Sequence, residues 1–131
     1  FTLNYFYYKI NTYCYVDKGG FVMSLNIQVK FDERENQWVF LPEGEIDIYT
    51  SPKFKEEILK HFSSKQTDIL IDGENLNYVD STGLGALISI LKKLKDNEYK
   101  IYLSNIKPNI RKIFDITELD KLFIIRGEKD E

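Results

Sequence analysis

One cysteine, one histidine, one methionine and one tryptophan are all that 131 residues supply of those types. Cys14 has no partner for an internal disulfide and cannot by itself build a four-cysteine zinc site. His61, equally alone, excludes a histidine-rich metal site within one chain. No apolar run approaches the roughly 20 residues that a membrane helix requires. Basic excess is missing too. Eighteen Lys and Arg face 21 Asp and Glu, a net charge of −3, whereas a nucleic-acid surface needs clustered cations. These absences point to a small cytoplasmic protein with no metal or other cofactor, no nucleic acid and no membrane as partner. The length suits about one domain.

What is present is unevenly spread. Phe1, Tyr5, Phe6, Tyr7, Tyr8, Tyr13, Tyr15 and Phe21 crowd the first 22 residues, where only Lys9, Asp17 and Lys18 are charged. This stretch has no basic start, uniform apolar segment or small-residue cleavage site, so no secretory pattern is read in it. Met23 is followed by Ser-Leu-Asn and ordinary strand patterning. The run Lys18-Gly19-Gly20-Phe21-Val22 before it is what a purine-rich ribosome-binding site yields when read as protein. Residues 1–22 are therefore expected to be a non-native extension, with 23–131 as the domain. The alternative is an extra strand, since aromatics favour strands.

From Asn26 to Phe31 apolar and polar residues alternate, a half-buried strand. Asp32 to Asn36 is a polar turn, and Gln37 to Leu41 a second strand that Pro42 and Gly44 should end. Thr50-Ser51-Pro52 reads as a hydroxyl cap followed by a first-turn proline, opening a helix to about His61. Asp68 to Asp72 has the short apolar run of a central strand. Leu84, Leu87, Ile88, Leu91 and Leu94 then line one helical face, with Lys92, Lys93 and Lys95 in the last turns where cations suit the dipole. Lys100 to Ser104 is a strand, Pro108 opens a helix buried through Ile110, Ile113 and Phe114, and Leu122 to Ile125 is a last strand. The order β-β-α-β-α-β-α-β implies an α/β fold. Strand–helix–strand crossovers place mostly parallel strands in a mixed sheet with helices packed on it.

The segment Tyr78 to Leu87, YVDSTGLGAL, sets a carboxylate and a hydroxyl pair at the mouth of a helix. Hydrolysis at Ser81 lacks a histidine base, because His61 falls at the far end of another helix, and no G-x-S-x-G elbow surrounds the serine; a Lys or carboxylate base stays open at the level of sequence. Asp47, Asp72 and Asp80 read as strand-end caps rather than as a metal or carboxylate pair. Gly83-Leu84-Gly85 resembles part of a phosphate loop, so a nucleotide-binding or weakly nucleotide-hydrolysing module is the alternative function. It lacks the Lys-Ser/Thr ending of a P-loop and the third glycine of a dinucleotide fingerprint. By residue chemistry alone, Ser81 or Asp80 is an N-cap, and the glycines allow tight packing of helix on strand.

From Met23 onward the chain resembles the STAS-domain anti-sigma-factor antagonists of bacteria. The resemblance is carried by GEIDIYTSPKFKEEI at 44–58, DILIDGENLNYVDSTGLGALISILKKLK at 68–95 and IKPNIRKIFDITELDKLF at 106–123. It departs from the family in the aromatic extension and at Asp72-Gly73-Glu74-Asn75, where many members carry Asp-Leu-Ser. The resemblance implies a regulatory phosphoprotein of transcription rather than an enzyme. Its partner is an anti-sigma factor with serine kinase activity, its phosphorylation site is Ser81, and a metal-dependent serine phosphatase reverses the modification. Asp47, Tyr49, Thr50 and Ser51, with Asp80, Thr82 and Gly83, are the expected partner-binding residues around that serine, because both segments follow carboxyl ends of strands.

Overall fold

Alternating side chains build an antiparallel start to the sheet. In the computed structural model, which describes residues 5–16 and 22–126 with side chains from residue 25 onward, β1 (Tyr5–Val16) pairs antiparallel with β2 (Val22–Asp32). The β2 strand pairs in the same sense with β3 (Gln37–Ile46). Their turn is held by the Asp32 carboxylate, which accepts the backbone N–H groups of Arg34 at 3.0 Å and Glu35 at 3.1 Å. Parallel strands follow. The chain continues through α1 (Ser51–Ser64), β4 (Asp68–Asp72), β5 (Leu76–Val79), α2 (Ser81–Asp96), β6 (Ile101–Ser104) and α3 (Pro108–Ile116). A 3-10 turn at Leu119–Lys121 leads into β7 (Ile124–Arg126). The sheet runs β1-β2-β3-β4-β6-β7, and β5 pairs with the far end of β3. Every pair beyond β2–β3 is parallel.

Register explains the core. Phe31, Trp38, Ile69 and Ile101 lie opposite one another across four strands, as do Val29, Phe40, Ile71 and Leu103. All eight are buried, and Phe54, Ile58 and Phe62 of α1, Leu87, Ile90, Leu91 and Leu94 of α2, and Ile110 and Phe114 of α3 join them in one cluster. Each such side chain contributes about 1.5–3 kcal/mol by leaving water. The expected α/β class with a mixed, mostly parallel sheet is the one observed.

The elements differ from the expected order in particulars. A short strand, β5, stands between β4 and α2. The β3 strand does not stop at Leu41 but passes through Pro42 to Ile46. Pro42 falls between Phe40, the last residue paired to β4, and Gly44, the first paired to β5, so on that side there is no ladder bond for it to break. Leu122 and Phe123 precede the last strand rather than belong to it, because the 3-10 turn occupies the chain just before them. Part of the N-terminal stretch, 5–16, has the backbone of a strand; the rest of 1–21 lies outside the described residues.

Candidate partner-binding site around Ser81

The strands β3 and β5 end side by side, with Ile46 opposite Val79. Each then hands the chain to a helix start, through Asp47 to Thr50 on one side and Asp80 on the other. The two exits are bonded together, since the backbone N–H of Asp80 donates to the Ile46 carbonyl at 3.2 Å.

Asp80 takes an extended conformation before α2, and its carboxylate accepts the Gly83 N–H at 2.8 Å. Its own carbonyl accepts the Leu84 N–H at 2.9 Å, so Asp80 is the N-cap. Of the two capping residues that the sequence allowed, Asp80 makes the cap bond, and Ser81 is the first residue of the helix. Ser81 and Thr82 stand in the first turn with exposed side chains. Gly83 is buried, and a Cβ there would overlap the Ile46 carbonyl oxygen and lie 2.9 Å from Val79 Cγ1. Only glycine lets the helix start this close to the strand ends.

On the other side, Asp47 folds its loop around one carboxylate oxygen. Oδ1 accepts the N–H groups of Tyr49 at 2.9 Å and Thr50 at 3.0 Å. The Thr50 hydroxyl donates to the Glu45 carbonyl at 2.7 Å and accepts the Asp47 N–H at 2.9 Å. The expected hydroxyl cap on α1 is therefore not made: Thr50 turns into the loop and gives α1 no side-chain cap bond. Oδ2 of Asp47 is buried without a hydrogen-bond partner.

The residues expected to meet a partner thus fall into two sets. Asp47, Thr50, Ser51 and Gly83 are buried and shape the surface from beneath. Asp80 is half-buried, while Tyr49, Ser81 and Thr82 face outward. Two further exposed apolar side chains escaped the sequence reading: Ile48 at 61% and Tyr78 at 47% exposure, beside Tyr49 at 44%. Ile48 and Tyr49 are neighbours in the loop and Tyr78 pairs with Glu45 on the strand that leads into it, an exposed apolar grouping of the kind that marks contact surfaces. Tyr78 adjoins buried Val79 in a four-residue strand, so sequence pattern alone could not assign it a side.

His61 brings no base to Ser81. It lies about 15 Å along α1 from Ser51, stacked edge-on against Trp38 and Phe40 with Nδ1 2.8 Å from the Glu57 carbonyl. Among the described residues, no group of three or more His, Cys, Asp or Glu could hold a metal, and no helix is long and apolar enough to cross a membrane.

The sequence profile of the STAS domain matches residues 27–131, which includes both halves of this site. The chain belongs to the STAS-domain family. Among curated proteins, this STAS domain is similar to the anti-sigma-B factor antagonist of Staphylococcus aureus, 31% identical over 98 residues that span 75% of this chain and 91% of the relative. Among solved structures it resembles the anti-sigma factor antagonist SpoIIAA in its unphosphorylated form, with a TM-score of 0.61 at 24% identity over 76% of this chain and 86% of that one. The phosphorylated form of SpoIIAA, a Bacillus cell fate determinant, gives a TM-score of 0.61 at 25% identity over 79% and 94%. In the solved structures this likeness is one of fold.

Proposed function

We propose that this STAS domain is an anti-sigma-factor antagonist whose partner surface is centred on Ser81. Unphosphorylated, it binds an anti-sigma factor that is itself a serine kinase and so frees a sigma factor. Phosphorylated on Ser81 it lets go, and a metal-dependent serine phosphatase restores it. The observation that carries this reading is an exposed hydroxyl in the first turn of α2, flanked by a capping carboxylate and exposed apolar side chains. The S. aureus relative, named an anti-sigma-B factor antagonist, supports the partner class.

Physics suits a switch at this point. Phosphate adds about −1.5 to −2 charges and three acceptor oxygens. The positive end of α2 favours that charge, while Asp80 beside it opposes it, so the fold tolerates the modification with little net change. SpoIIAA in both forms matches this fold equally well, which supports such tolerance. A partner surface built for a neutral hydroxyl beside Asp80 meets an unpaired charge instead. The serine is a substrate, and the catalytic machinery belongs to the partner.

A nucleotide at Gly83-Leu84-Gly85 fits less well. The Gly83 N–H that a phosphate would use is taken by a carboxylate, which repels anions. Incubation with the anti-sigma kinase and ATP tests the reading: mass spectrometry should find one phosphate, on Ser81. Phosphate on Thr82, or undiminished labelling of Ser81→Ala, contradicts it.

A further inference from the structure

Two glycines in the first turns of α2 stand in opposite circumstances. Gly83 has no room for a side chain. Gly85 has nothing within 4 Å of where a Cβ would be, and it is exposed. Nor does its backbone need glycine, because Gly44 is the glycine with positive φ among the described residues. It lies past the first turn of α2 and is neither of its caps. Glycine is the poorest helix former after proline, so nothing among the described residues accounts for its presence at Gly85.

Position supplies what the chain does not. Gly85 follows Ser81 by four residues and so sits beside it on the same helix face, about 5–6 Å away. We infer that Gly85 is a close-approach point of the interface, where the anti-sigma kinase lays its own backbone or a flat side chain directly on α2. The bare Cα lets the partner come within van der Waals contact of the helix, while Ile48, Tyr49 and Tyr78 are exposed apolar groups at the strand ends that are bonded to the start of α2. Phosphate on Ser81 then acts partly by bulk, since three oxygens occupy the space into which the partner must settle. This inference rests on the function proposed above and adds a specific contact to it.

The test is Gly85→Ala, measured against wild type for binding to the purified anti-sigma kinase and for thermal melting. The expected result is a higher melting temperature, because alanine favours the helix, with affinity reduced at least tenfold. Gly85→Leu should reduce affinity further while remaining folded. A lower melting temperature for Gly85→Ala makes the glycine structural and overturns the inference. Unchanged affinity of Gly85→Ala, with wild type binding normally, overturns it as well. Failure of wild type itself to bind overturns the functional reading and this inference together.

Discussion

The Asp80 N–H donates to the Ile46 carbonyl across 3.2 Å, and that bond ties the helix bearing Ser81 to the strand that ends in the Asp47 loop. Gly83 is wedged against the same carbonyl. Sequence-distant segments are thereby held as one surface, and any change that opens this joint should disturb fold and binding together.

Gly83→Ala is the direct probe of the joint. A methyl group meets backbone on one side and Val79 on the other, so we expect a loss of about 1–3 kcal/mol in stability. Urea denaturation measures it. An unchanged midpoint would mean that the helix start can shift away from Ile46 at little cost.

The caps separate by their partners. Asp80→Ala removes the acceptor for the Gly83 N–H and should cost about 1 kcal/mol. Ser81→Ala leaves that bond intact and should change stability by less than about 0.5 kcal/mol. Comparing the two denaturation midpoints decides which side chain is the cap, and a larger loss for Ser81→Ala would reverse the assignment.

Much of this arrangement was legible in the sequence. The 3.6-residue spacing of Leu87, Leu91 and Leu94, with half-buried Leu84, located α2 and its buried face, and the alternation of Ile27, Val29 and Phe31 located the inner face of β2. The carboxylate and hydroxyls at the helix mouth were visible as a motif. What escaped depends on pairing over distance. β5 is four residues long and carries two exposed residues between buried Leu76 and Val79, too short for a period to register. Pro42 read as a strand end because its tolerance depends on where β4 stops and β5 begins. The inward turn of Thr50 depends on the Glu45 carbonyl five residues back, which spacing rules for caps do not consider.

Asp47 should behave as a scaffold for Tyr49 and its neighbours. Asp47→Ala removes the buried acceptor of the Tyr49 and Thr50 backbone N–H groups and should cost about 2–3 kcal/mol. Asp47→Asn keeps one oxygen for those donors and withdraws a buried charge, so its loss should stay below about 1 kcal/mol. Equal losses for both variants would show that the charge itself holds the loop.

We propose that residues 1–22 are an extension to the domain, a reading supported by a family match that begins at residue 27. A chain starting at Met23 should remain soluble, melt cooperatively and bind the kinase. Aggregation or a large fall in melting temperature would make β1 an integral part of the sheet.

The central claim is that the surface around Ser81 reads charge without depending on it for folding. Its most direct measurement is the affinity of Ser81→Asp and Ser81→Ala for the anti-sigma kinase, with melting temperatures recorded alongside. Ser81→Asp should bind at least tenfold more weakly, about 1.4 kcal/mol, while melting close to wild type; Ser81→Ala should keep most of the affinity. Equal affinities for the two variants, or a Ser81→Asp protein whose binding falls only as its stability falls, would contradict the account.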